Sequence, residues 1–120
     1  MTNLKYFKLE EFDSPDSLGS GFNMDHRFLE LLDRIRGDAG IPFRINSGYR
    51  TSAHNEDVGG KANSAHTKGF AVDIFALSSK DKFTIVSAAL RNGVNRIGVG
   101  NTFVHIDTDP SLPKNVIWIY

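Results

Sequence analysis

The chain has 120 residues, 40% of them hydrophobic and 23% charged, which is ordinary globular usage and excludes a disordered or repeat architecture. That length suits a single domain over residues 1–120 built around one core. Lys plus Arg and Asp plus Glu balance at 14 each, so no net field draws in a nucleic acid, and with zero cysteines any metal must be held by nitrogen and oxygen.

The opening Met1-Thr2-Asn3-Leu4-Lys5 and the residues to Ser17 carry charges every few positions and no apolar run long enough for a signal peptide or a membrane span. Synthesis in the cytoplasm without an export address is the expectation, with no membrane partner. From Lys5 to Asp16, Phe7, Leu9 and Phe12 among charges suggest a short helical turn, then a loop at Ser14-Pro15-Asp16. Asn23 can cap a helix in which Phe28, Leu31, Leu32 and Ile35 fall on one stripe, ending before Gly40.

Phe43 to Ser47 alternates like a strand and stops at Gly48, Thr51 to Val58 suits a helical turn, and Lys61 to Gly69 is small and polar and reads as loop. Gly69 to Phe75 has strand composition. Ser78 to Asn92 reads as a helix presenting Phe83, Val86, Ser87 and Leu90, with Gly93 as its stop. Arg96–Gly100, Thr102–Asp107 and Val116–Tyr120 complete three short strands. Strands in succession beside separated helices predict an α+β domain with a mainly antiparallel sheet.

Three stretches carry chemistry. In Phe70-Ala71-Val72-Asp73-Ile74-Phe75, alternation puts Ala71, Asp73 and Phe75 on one face, and a carboxylate amid apolar residues needs a positive partner. His66, just upstream, and a cation supply one. In Phe103-Val104-His105-Ile106-Asp107, His105 shares a face with Phe103 and Asp107. Taken singly, a strand histidine is most often a packed residue. Jointly, two histidines and an aspartate make a three-ligand site with an open fourth position, as in catalytic zinc. The third stretch is the turn Ser47-Gly48-Tyr49-Arg50.

The pattern S-x-H-x-x-G-x-A-x-D over Ser64 to Asp73, followed by H-x-D at His105 to Asp107, resembles the zinc D-alanyl-D-alanine carboxypeptidase family, whose fold is shared by Hedgehog signalling domains and several phage endolysins. The resemblance implies Zn2+ held by His66, Asp73 and His105, and a substrate carboxylate or oxyanion met by Arg50. It further implies substrate contacts from Ser47, Tyr49 and Ser64, and a Hedgehog/DD-peptidase-like fold. It departs from the family at Thr102, where many relatives carry an acidic general base. Asp107 is then the nearest acid. At about 6.6 to 6.8 Å along the strand from His105 it sits too far to ligate, so it acts either as base or as an orienting group behind His105.

The expected function is therefore a monomeric zinc peptidase that cuts peptidoglycan peptides. It would be a carboxypeptidase or an endopeptidase of the cell wall, similar to short stand-alone enzymes encoded by phages. The alternative from another class is a domain that keeps fold and metal but only binds a peptide or glycan. His54, Glu56 and Asp57 are further candidates for the cleft wall.

Overall fold

The computed structural model describes residues 3–120. After a 3-10 turn at Leu9–Phe12 and another at Ser20–Asn23, the chain runs through α1 (His26–Ala39), β1 (Ile45–Ser47), α2 (Ser52–Asp57), a 3-10 turn at Ala65–Lys68, β2 (Ala71–Phe75), α3 (Ser79–Arg91), β3 (Arg96–Val99), β4 (Phe103–Asp107) and β5 (Val116–Ile119). The five strands form one sheet in the order β1-β2-β4-β3-β5. All neighbours pair antiparallel except β3 and β5, which run parallel. The fold is the expected α+β class.

The helices form where the patterns place them, with two corrections. Helix α1 is capped by Asp25, whose Oδ2 accepts from the Phe28 N–H at 2.9 Å, and Asn23 closes the preceding 3-10 turn instead. Either side chain can cap a helix; a long-range bond decides, because the Asp25 N–H donates to the Gly69 carbonyl and pins the chain there. Helix α3 is capped by Ser78 as expected, but it buries Ile85, Ala88 and Ala89. Phe83 is 74% exposed and Leu90 51%. The small pair Ala88 and Ala89 faces inward where α3 lies against α1, a contact that bulkier side chains would hold apart.

The core lies between these helices and one face of the sheet. Val72, Ile74, Val104, Ile106 and Ile97 are fully buried there with Phe28, Leu29, Leu32 and Ile35 of α1. Side chains alternate along strands, so the opposite face carries the remaining positions. Register aligns them in a row: Ser47 opposes Asp73, Asp73 opposes His105, His105 opposes Gly98, and Gly98 opposes Trp118. A second row holds Ala71, Asp107, Arg96 and Val116.

Two glycines shape this outer face. Gly69 has φ +81° and ends the Ala65–Lys68 turn, and a Cβ there would sit 2.4 Å from the Asn23 carbonyl oxygen, so only glycine fits. Gly98 leaves the middle of the sheet bare; a Cβ there would lie 2.5 Å from the Trp118 Nε1.

The inward face of α3 is testable by paired truncation. Ile85→Ala is expected to lower unfolding free energy by about 2–5 kcal/mol in urea denaturation, and Phe83→Ala by less than about 0.5 kcal/mol. Equal losses would contradict the packing described.

Candidate metal centre

His66 is delivered by a short, tightly tied turn. Ser64 Oγ accepts from the His66 N–H at 3.2 Å, and Gly69 caps the other end. The imidazole Nδ1 lies 2.8 Å from the Gly48 carbonyl oxygen, an acceptor that requires this nitrogen to carry the proton. The other nitrogen, Nε2, lies 3.4 Å from Asp73 Oδ1 and is the one whose lone pair a metal would take.

Asp73 lies mid-strand on β2, directly across from His105 on β4. Its Oδ1 is 2.9 Å from His105 Nδ1, and its Oδ2 accepts from Arg50 Nη2 at 3.3 Å. The other nitrogen of His105, Nε2, is 2.7 Å from Asp107 Oδ2. Hence the ring is held from both ends, Nδ1 toward the group and Nε2 toward its rear.

Among the described residues, His66, Asp73 and His105 form a group whose ligand atoms all lie within 4.8 Å of one another. Four donors around a tetrahedral zinc at about 2.0–2.2 Å stand roughly 3.3–3.6 Å apart. The 3.4 Å and 2.9 Å spacings to Asp73 Oδ1 are close to that edge length. Two imidazole nitrogens and one carboxylate oxygen are also the donor chemistry of a catalytic rather than a structural zinc site. The residues therefore fit the metal.

Charges around the group alternate in sign. Burial pushes the Asp73 carboxyl up, but bonds and charges from His105 and His66 outweigh it and hold it well below the usual carboxylate range. Burial pulls His105 down, yet Asp107 and Asp73 on its two sides leave it raised. Asp107, also pushed up by burial, is lowered on balance by His105 and then by Arg96.

Arg50 is held at three points, with Nε donating to Ser47 Oγ at 3.0 Å, Nη1 to Asn55 Oδ1 at 3.2 Å, and Nη2 to Asp73. The structure thus brings Arg50 and Ser47 to the metal group. Ser64 supports His66 through its backbone, and Tyr49 is partly buried against the core. Glu56 and Asp57 are exposed on α2. Thr102 is exposed ahead of β4, and its carbonyl accepts from the Ala76 N–H.

Asp107 has no free oxygen. Besides His105 on Oδ2, its Oδ1 accepts from Arg96 Nε at 2.7 Å and from the Asp109 N–H at 3.2 Å, and the residue is 1% exposed. The geometry matches an orienting group behind His105 rather than a base facing substrate.

Sequence inspection missed Asn55, Arg96 and Trp118. Buried Asn55 ties Arg50 to the Lys61 carbonyl, and nothing in its local pattern marks it. Arg96 had a signal, as a charge in a strand otherwise written Ile97-Gly98-Val99, but its partner lies on another strand.

A family model described as Peptidase M15 matches residues 5–107, a span that holds the whole group and ends on Asp107. No curated protein matches the chain. Added zinc is expected to raise the melting temperature of the wild-type chain through preferential binding to the folded state, and to leave that of His66→Ala or His105→Ala unmoved. An equal shift in all three, followed by calorimetry, would place the metal elsewhere.

Proposed function

The chain belongs to the peptidase M15 family, the zinc D-alanyl-D-alanine carboxypeptidase family, and on that premise we propose that it is a zinc peptidase that cuts peptide bonds of bacterial peptidoglycan. Family membership supports peptidase activity and a peptide substrate. The observation that supports the assignment of residues is the convergence of His66, Asp73 and His105 on one point with Arg50 beside it. On this reading the scissile bond is D-Ala-D-Ala or one in a stem peptide or cross-link, and the chain works at the cell wall.

Zinc bound there would polarise the peptide carbonyl and lower the pKa of a coordinated water from about 15.7 to near 7. The protein's own part is positioning. His66 is locked in the Nδ1–H tautomer by Gly48, so its Nε2 is available as a ligand. His105 is locked in the complementary sense, with Asp107 receiving its Nε2–H. Arg50, held by Ser47 and Asn55, offers its guanidinium to a substrate carboxylate or to the oxyanion that develops as the carbonyl is attacked.

Asp107 is on this reading a positioning residue. Its two oxygens are spoken for by His105, Arg96 and the Asp109 amide, and Thr102 offers no carboxylate in the base position. The same two observations favour one second reading, a domain that keeps the metal and binds a peptide without cutting it.

Digestion of purified peptidoglycan with mass identification of the products separates the two. Chelator-sensitive release of D-alanine or of cleaved stem peptides is expected, with Arg50→Ala lowering kcat/KM by about 10²–10³-fold. Peptide binding with no product would establish the second reading instead. For Asp107→Ala, zinc affinity is expected to fall about 10–100-fold and activity to return with excess zinc. Activity that stays lost at saturating zinc would make Asp107 the base.

A further inference from the structure

Beyond His105 the metal-facing row continues through bare Gly98 to Trp118 on β5. The indole lies over the space a Gly98 side chain would fill, with its ring centroid 5.4 Å from that of His105. Tyr120 stands beside it, 6.3 Å from Trp118 and 6.5 Å from His105, and Phe103 of β4 packs 4.9 Å from Tyr120. Phe103 in turn covers the space above Gly100. Phe103 and Trp118 are half-buried and Tyr120 is 63% exposed, so the rings form a shelf whose outer surface meets solvent. The Tyr120 ring thus borders His105 of the metal group. Trp118 of β5 and Tyr120 just after it both lie beyond the span matched by the family.

The two sides of the metal group therefore differ in chemistry. On one side of the His66, Asp73 and His105 group stands a guanidinium, Arg50; on the other stands a neutral aromatic shelf with a single indole N–H and a phenol hydroxyl. Arg96 stands 5.0 Å from the Trp118 ring on the side held by Asp107, and its guanidinium donates to that carboxylate.

We infer that the Phe103, Trp118 and Tyr120 shelf is a substrate subsite that takes a neutral, carbon-rich side chain from the acyl half of the peptide, while Arg50 takes the carboxylate-bearing amine half. The inference rests on the peptidase reading for the direction of the substrate. Aromatic faces gain by excluding water from aliphatic surface, and partly wet rings keep their polar tips hydrogen-bonded meanwhile. A peptide laid across the metal with its carboxylate at Arg50 has nowhere else on this row to send its acyl half.

Trp118 is the only tryptophan in the chain, so indole fluorescence, excited selectively over tyrosine, reports on this surface. The test titrates zinc-supplemented protein with the two acyl products of D-Ala-D-Ala cleavage, N-acetyl-leucyl-D-alanine and N-acetyl-glycyl-D-alanine, whose remaining peptide bonds are checked by mass to stay intact during the titration. It then measures hydrolysis of the corresponding peptides ending in D-Ala-D-Ala. A saturable fluorescence change is expected, with the leucyl fragment bound about tenfold more tightly than the glycyl one. Tyr120→Ala is expected to erase that preference and to raise KM for the leucyl peptide about tenfold with kcat within about threefold. Ile117→Ala, on the opposite face of β5, should keep wild-type KM and so separates the shelf from damage to the strand.

Leucyl and glycyl fragments that bind alike, or a Tyr120→Ala variant that loses kcat at unchanged KM, would overturn the subsite. If peptides are cut under either of those outcomes, the peptidase reading stands without it. Leucine-selective binding at Trp118 with no peptide cut would uphold the subsite and overturn the peptidase reading.

Discussion

One carboxylate organises the outer face of the sheet. Asp73 sits in the middle of a strand whose neighbours Val72 and Ile74 are fully buried, where an isolated charge would be strongly unfavourable. It is tolerated because two imidazoles and a guanidinium surround it at 2.9 to 3.4 Å. Each of those partners is fixed from behind: His66 by the Gly48 carbonyl, His105 by Asp107, and Arg50 by Ser47 and Asn55. The local architecture that looks incidental, a glycine at φ +81° after His66 and a tight turn before Arg50, places those anchors. Remove the requirement to compensate Asp73 and little reason remains for these turns to be built as they are.

The compensation extends outward as a line of alternating sign from Asp73 to His105, Asp107 and Arg96. A buried charge flanked by opposite charges and satisfied hydrogen bonds is far less unfavourable than an unpaired one, so the line is stable as a unit and fragile at any member. Arg96 ends it by donating to the Pro113 carbonyl and standing over Trp118, which fastens the segment between β4 and β5. Lys68 does similar service from the His66 turn, reaching Asp109 at 2.8 Å. The group and the strand beside it are thus tied together by side-chain bonds, the kind of support a preorganised site uses.

How much of this could be read from the sequence depends on whether the signal was local. Period-two alternation places Asp73 with Ala71 and Phe75, and His105 with Phe103 and Asp107, and the register agrees. The cap at Ser78 and the glycine stop at Gly40 are equally local and equally legible. What failed involves partners distant in the chain. The inward face of α3 turns on how closely it packs against α1, and Asp25 rather than Asn23 caps α1 because Gly69 holds it. Alternation could say that Asp107 shares a face with His105; it could not say that Arg96 would occupy its other oxygen. The aromatic shelf was invisible for the same reason, since β5 joins the sheet by parallel pairing with β3 and not with the strand before it.

That parallel pairing has a consequence for how a site of this kind acquires selectivity. The metal group is made by β2, β4 and the turns that feed them, and it is complete by Asp107. A strand added past that point can change the cleft without disturbing a ligand, provided the strand between them carries no side chain in the way. Gly98 meets that condition, because the indole of Trp118 occupies the volume its Cβ would need. On the proposed reading, chemistry and selectivity are then divided between different strands of one sheet. Variation in β5 alters what lies against His105, while the alternating charges beneath it hold the ring in place.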